Sequence, residues 1–347
     1  MVTLGSDSHK STHTVVAVDA NGRQLGSRTV RAISAGHLEA LRWAERWPQR
    51  RWALEDCRHV SRGLERDLLS AGETVVRVSP KLMAGARQSA RELGKSDPID
   101  ALAVARAALR EPDLPVAHLE GPSREVKLLL DHREDLVAER TRMHNRLRWH
   151  LHELEPGYEI AAGSLNSKSV LEAVAALLAA HDSVTAEIAR ELVGRIAELT
   201  VRATELEGRI SSLSAELAPS LLALEGCGGL TAAKIVAETA DISRFSSRGA
   251  YATNNGTAPI PVWSGNHTRF RLNRGGNRQL NAALHRIAIT QIRQTGRGRA
   301  YLEQRMAAGN TKAEALRALK RRISDEVYRR LWQDHLAASA SRAVEAA

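Results

Sequence analysis

"VTLGSDSHKSTHTVVAVDANGRQLGSRTVR", residues 2–31, is the stretch on which the fold turns. Residues 2–7 and 13–19 are rich in β-branched and apolar side chains and read as strands. Asp19-Ala20-Asn21-Gly22 is a hairpin turn signal, and residues 24–31 read as a third strand. Short connections of this kind join antiparallel neighbours.

The pattern then changes. A helix is expected near 35–47, a strand at 51–55 (RWALE), a helix near 59–71, a strand at 74–78 (TVVRV) and helices to about 110, with Pro112 and Pro115 closing the unit. Three meandering strands followed by helix–strand–helix–strand–helix is the order of the α/β ribonuclease H-like fold.

Four acids fall at telling places in that order. Asp7 lies on or just after the first strand, and Glu55 ends the apolar strand 51–55. An acid closing a buried strand is costly unless it is paired or binds a metal. In "GKSDPIDALAVARAAL" (94–109), Asp97 and Asp100 stand three apart at the mouth of an Ala-rich helix. Helix capping explains that stretch: Ser96 or Asp97 suits the N-cap, Pro98 suits the first position, and Asp100 complements the dipole. Residues three apart also share a helix face. If that face looks at the sheet, both carboxylates reach a cation. Ribonuclease H-like enzymes gather carboxylates from the first strand, the fourth strand and the last helix around two Mg²⁺ ions for phosphodiester cleavage. Asp56 and Glu92 are weaker competitors for these places.

The middle of the chain is helical and charged. In 183–217, Ile196, Leu199, Ala203, Leu206, Ile210, Leu213 and Leu217 recur at alternating steps of three and four, a heptad seam. Residues 123–155 form a second long helix with Val126, Leu130, Val137, Met143, Leu147, Leu151 and Leu154 on roughly one face. The pattern suits a helical hairpin within the chain and a coiled coil between chains equally.

The composition shifts again in the last third. The chain carries 50 Lys+Arg against 40 Asp+Glu, a net charge of +10, and that excess points to a polyanionic partner. Between Asp241 and Glu303 there is no acid and no lysine, only ten arginines, Arg269, Arg271, Arg274 and Arg278 among them. A basic helix over 311–333 follows, and the Ala/Ser-rich tail from about 337 is expected to fray. "LEGCGGLTAAKIVAET" (224–239) has the shape of a helix-hairpin-helix. There Gly226 and Gly228 permit a tight turn, and the next helix, bearing Lys234, offers its N-terminus to a phosphate. A plain helix–helix turn fits the same residues. Ser264-Gly265 lies in a Pro/Gly-rich stretch just ahead of the arginines. Ser264 reads either as a turn residue or as a nucleophile activated by a guanidinium clamp or a metal, and His267 stands near enough to help deprotonate it. The two cysteines, Cys57 and Cys227, make neither a disulfide framework nor a zinc spacing. With no signal peptide and no apolar run of membrane length, the chain reads as cytoplasmic, with no membrane partner.

Taken together these motifs resemble the DEDD transposases of bacterial insertion sequences, the IS-one-ten family, over nearly the whole chain. An Asp after a Gly, a strand-ending Glu and Lys-Ser-Asp-Pro-x-Asp-Ala fall on Asp7, Glu55, Asp97 and Asp100. Asn-Gly-Thr-Ala-Pro, Ser-Gly and Arg-x-x-x-x-Gly-Asn-Arg fall on 255–259, 264–265 and 271–278. The chain departs from the family pattern at Ser6, at Asp56-Cys57 and at Trp263, which stands where a small polar residue is frequent. The resemblance implies a RuvC-like catalytic domain over 1–115, a helical coiled-coil region over 116–217, a mainly α transposase domain over 218–336 and a flexible tail over 337–347. It implies that Asp7, Glu55, Asp97 and Asp100 hold Mg²⁺ and that Ser264 forms a covalent phosphoserine. Arg269, Arg271, Arg274, Arg278, Gly226, Gly228 and Lys234 are then expected on nucleic acid. Implied partners are double-stranded DNA at the element ends and target, a guide (bridge) RNA, and further copies of the chain in a homodimer or homotetramer, with action at the nucleoid. Two other readings fit the acids and the charge: a RuvC-like structure-specific nuclease without a covalent step, and a non-catalytic nucleic-acid-binding protein.

Overall fold

The computed structural model describes residues 1–55, 60–79, 82–83, 96–111, 114, 116–117, 121–265 and 267–345, with side chains as far as 341. Asp56, Cys57, Glu92, Lys95, Pro112 and Pro115 lie outside the described residues. The chain divides into two compact units, Met1–Glu120 and Gly121–Ala347.

The first unit is built on a five-stranded sheet in the order β3-β2-β1-β4-β5. Strands β1 (Val2–Ser8), β2 (Thr12–Val18) and β3 (Gln24–Arg31) form an antiparallel meander, while β4 (Arg50–Glu55) and β5 (Val75–Val78) extend it in parallel beyond β1. The turn into β3 is closed by Asp19, whose Oδ1 accepts the backbone N–H of Asn21 and Arg23, each at 2.9 Å. Gly22 there takes φ +76°, a conformation that excludes most side chains. Parallel pairing requires crossovers, and helices α1 (Ser34–Ala44) and α2 (Arg62–Ser70) supply them.

Alternation sorts the sheet into two faces. Leu4, Val15, Ala17, Trp52 and Leu54 pack against Ala40, Trp43, Leu64 and Leu68 of α1 and α2. Val16, Val18, Ala53 and Val78 pack against α3 (Asp97–Arg110) through Ala101, Val104, Ala105 and Ala108. Alanines and one glycine let α3 come unusually close. A Cβ on Gly5 would stand 2.3 Å from the carbonyl oxygen of Ala101 and 2.4 Å from the amide of Ala105. The meander followed by two parallel strands, with helices on both faces, is the ribonuclease H-like arrangement expected from the strand order.

The second unit begins with a helical pair. α4 (Pro122–Leu154) and α6 (Val184–Leu217) run antiparallel. Their cross-helix contacts fix the direction: Thr185 meets Glu153, Arg195 meets Glu139 at 2.8 Å, and Arg133 meets Glu207 at 2.6 Å. The heptad seam therefore closes within the chain. Short helix α5 (Lys168–Leu178) caps one end through Leu171, Val174 and Leu178, packed on Leu147, Leu151 and Ile196. At the other end Val126, Leu130, Leu206 and Ile210 pack on Ala233 and Ala237 of α8 (Gly229–Thr239), which follows the single-turn α7 (Pro219–Leu222). The largest core joins α8 to α9 (Arg248–Asn254), α10 (Arg278–Arg293) and α12 (Lys312–Glu345), with α11 (Arg297–Ala307) between the last two in sequence.

Two features differ from expectation. The stretch around Ser264 is a two-stranded ribbon, β6 (Ile260–Ser264) with β7 (His267–Arg271), in a domain expected to be mainly helical. And α12 carries on through the Ala/Ser-rich stretch from 337 to Glu345 rather than ending near 333. Alanine is the strongest helix former, so propensity alone extends the helix there with its described residues exposed.

Candidate functional site

Close packing of α3 on Gly5 sets the first group. Two residues along β1, on the same face as Gly5, comes Asp7, and the helix it meets begins with Asp97 and Asp100. Asp7 and Asp100 are buried; Asp97 is half exposed. Ser96 takes the N-cap position without a side-chain hydrogen bond, so Pro98 falls second in the helix and Asp97 first. Glu55, half-buried at the end of β4, shares the face of Ala53, which packs on α3. The parallel register pairs Ser6 with Leu54, so the next step along both strands brings Asp7 beside Glu55. Register and helix packing thus place all four acids toward one end of the sheet, on the face that α3 covers, with Asp97 and Asp100 close enough to act on Asp7.

A fifth group joins them. His9 Nε2 lies 3.1 Å from Asp7 Oδ2 and 3.3 Å from Asp97 Oδ1, and ligand atoms of Asp7, His9 and Asp97 all fall within 4.8 Å of one another. The sequence reading missed His9; the signal was a histidine two residues beyond a strand-ending acid, in the short turn that β1 makes into β2. Burial pushes the Asp7 carboxyl above its ordinary value, and the negative charges of Asp100 and Asp97 push the same way, against His9. Converging acids that resist ionising together are what a divalent cation relieves, and oxygen donors suit a hard ion. The donor set therefore fits the metal that the fold implies. Ser6 faces away from it and meets Ser8 at 3.5 Å between hydroxyls.

The second group lies in the other unit. Ser264 ends β6, Gly265 follows at φ +58°, and His267 stands opposite Ser264 in the ribbon register. Directly opposed residues of an antiparallel pair share a face. Ile260, Val262 and Ser264 therefore share one with His267, Arg269 and Arg271, while Pro261 and Trp263 share the other with Thr268 and Phe270. Arg269, Arg271, Arg274 and Arg278 are exposed, and none of the described ion pairs engages them.

The ribbon runs into a cleft of about 850 Å³ lined by Arg274, Arg278, His285, Arg317 and Lys320, with no acid in its walls. The Asn-Gly-Thr and Gly-Asn-Arg motifs build its floor by folding onto each other. A Cβ on Gly276 would stand 2.3 Å from the amide of Gly256, itself at φ +73°. Asn255 is fully buried: its amide donates to Ser324 at 2.8 Å, its side-chain oxygen accepts from Thr257, and its carbonyl accepts from Asn281 at 2.7 Å. Asn277 caps α10 by accepting the N–H of Leu280 at 2.9 Å. Lys320 donates to Asn281, and burial holds its ammonium below the usual lysine range. A phosphate placed there would favour the charged form.

The glycine turn needs one correction. Gly226 takes φ +84° and lies against α10, where a Cβ would stand 3.0 Å from the Ile287 carbonyl oxygen, while Gly228 is exposed just ahead of α8. Lys234, expected on phosphate, points inward: it is buried and its Nζ lies 2.5 Å from Glu134 of α4. Its neighbours Ala233 and Ala237 dock on α4 and α6, and that docking turns Lys234 the same way. Cys227 is buried, and burial pushes its thiol up to about 12, so it offers no competing nucleophile.

Sheet order and acid placement define a ribonuclease H-like domain with a carboxylate cluster. Comparison with known proteins makes the class specific. A family model for DEDD transposases of the IS110 type, described as Transposase, matches residues 4–156, and a second, Transposase IS116/IS110/IS902 family, matches 218–303. The chain belongs to this family of transposases. It is 28% identical to the insertion element IS116 uncharacterized 44.8 kDa protein of Streptomyces clavuligerus, over 94% of this chain and 93% of that one. It is 25% identical to the insertion element IS900 uncharacterized 42 kDa protein of Mycobacterium paratuberculosis, over 96% of both. Among solved structures it is similar to Thermus thermophilus RuvC at 19% identity and a TM-score of 0.27, covering 31% of this chain and 92% of that one. A RuvC complex with a Holliday junction substrate matches at 17% and 0.26, covering 31% and 91%. Among the described residues no helix is long and apolar enough to cross a membrane.

Proposed function

We propose that the chain cuts and religates double-stranded DNA to move an insertion sequence, with Asp7, Glu55, Asp97 and Asp100 holding Mg²⁺ and Ser264 as nucleophile. The observation that carries the reading is the meeting of Asp7 on β1 with Asp97 at the start of α3, joined by His9. Bound there, the metal would activate an attacking oxygen and stabilise a leaving one. The residues of the chain do the rest. Asp7 and Asp97 hold His9 between them and fix the donor directions. Arg269 and Arg271, on the face that Ser264 occupies, clamp the phosphate and draw charge off phosphorus. The Ser264 oxygen bonds to phosphorus as its proton passes to His267, the bond to one DNA oxygen breaks, and that oxygen leaves as a hydroxyl after taking a proton. Reversal of the same exchange religates the strand. Arg274, Arg278 and the basic cleft hold neighbouring phosphates. A guide RNA and assembly into a dimer or tetramer belong to the same proposal.

A cleavage assay with the parent and Ser264→Ala tests it. The parent is expected to leave protein covalently joined to DNA in Mg²⁺, and the variant to leave none. Adducts that persist in Ser264→Ala would remove the serine from the mechanism; cutting that persists without adducts would favour a RuvC-like nuclease that uses water.

A further inference from the structure

The ribbon face turned away from Ser264 carries Trp263 and Phe270, 69% and 68% exposed. The chain contains two phenylalanines; the other, Phe245, is buried in the core of the second unit. Two large aromatics left in water, diagonal to each other on a ribbon, need an occupant. The surroundings select its chemistry. Arg269 and Arg271 flank Phe270 along β7, Arg274 follows, and no acid lies between Asp241 and Glu303. A second copy covering the aromatic face would leave Arg269 and Arg271, on the other face, without a negative partner. An occupant with flat π faces and negative charge on one chain satisfies both faces of the ribbon at once, and a nucleic-acid strand is such a chain.

We propose that Trp263 and Phe270 form a stacking platform for unpaired bases next to the phosphate that Ser264 contacts. The proposal rests on the reading of this ribbon as the DNA-contacting element. Bases inside a duplex have both faces covered, so the platform works on a locally opened strand. The phosphates then run along the Ser264, Arg269 and Arg271 face while bases turn to the aromatic face. The ribbon thereby holds a stretch of DNA open, and that preference needs no base sequence because every base offers a π face.

The test uses full-length Ser264→Ala, which binds without cutting. Two probes of one sequence are compared, a fully paired duplex and the same duplex with a four-nucleotide mismatched bubble. Tighter binding to the bubble is expected. Adding Trp263→Ala or Phe270→Ala should weaken bubble binding by roughly 5- to 150-fold, the range for loss of one base–aromatic stack, and leave the paired duplex nearly unchanged. Trp263→Tyr should retain most of the preference, and Arg269→Ala should weaken both probes alike. Equal binding of both probes, or a preference that survives loss of both aromatics, overturns the platform. So does a sedimentation profile in which the aromatic variants fall from dimer to monomer, since the face would then belong to a second copy. Covalent adducts formed by the parent protein, with no bubble preference in Ser264→Ala, would sink the platform alone. A bubble preference without adducts would sink the serine reading alone.

Discussion

At the scale of the residue, Asp7 shows a group held against its own stability. Its folded pKa is raised, so its favourable contribution is present below the ordinary carboxylate value of 3.8 and is lost as pH rises through the folded value. Asp7→Asn removes that cost and keeps an oxygen for His9. The variant is expected to melt higher than the parent at pH 7 in metal-free buffer, the difference closing below about pH 4, and to lose cutting. Mg²⁺ should reverse the order, since bound metal stabilises the parent by about 2.7 kcal/mol at a hundredfold excess over Kd. Parental cutting rates in Asp7→Asn, Asp97→Asn or Asp100→Asn would return these acids to a structural role. A strand-ending acid was legible one residue at a time; the mutual distance of Asp7, His9 and Asp97 was not, because the three-residue turn after β1 and the packing of α3 set it.

At the scale of the element, helix approach decides what a residue can do. Gly5→Ala drives a Cβ into the backbone of α3, which cannot give as a side chain could. Chemical denaturation should show a loss of about 1–3 kcal/mol or more, with cutting impaired because Asp97 and Asp100 move with the helix; an unchanged midpoint would mean that α3 stands off the sheet. Lys234 supplies the opposite case. Its pairing with Glu134 predicts that Lys234→Ala costs about 1–2 kcal/mol of stability and leaves the salt dependence of DNA binding as it was, whereas a phosphate contact would lower that dependence. The amphipathic signal was strong for α4 and α6, where the seam residues Val126, Leu130, Leu147, Leu151, Ile196, Leu199, Ala203, Leu206 and Ile210 are buried. It was silent for α8, buried nearly all round, so nothing in its sequence said which way a lysine would face.

At the scale of the whole molecule, charge and division of labour govern. Each of Arg269, Arg271, Arg274 and Arg278 that neutralises a phosphate adds about 0.9 to the slope of log affinity against log salt. The quadruple alanine variant should therefore bind far more weakly at low salt, with a slope shallower by about 3 to 4; an unchanged slope would place the DNA elsewhere. The two compact units carry the acids and the serine separately. Mixing inactive Asp97→Asn with inactive Ser264→Ala protein is expected to restore cutting, as it must if acids of one subunit serve the serine of another. No recovery would confine each reaction to a single chain.

Hairpin chemistry, strand alternation and heptad spacing are local, so the sequence by itself determined the strand order, the long helical pair, the acid positions and the arginine tract. The tertiary structure decided which groups meet. Backbone contact between α3 and Gly5 brings Asp97 and Asp100 to Asp7. Docking of α8 on the helical pair takes Lys234 inward. Pairing of β6 with β7 puts Ser264, His267 and two arginines on one face and Trp263 and Phe270 on the other. Each is settled by packing between segments distant in sequence or by strand register, and neither is written in the local pattern of the residues involved.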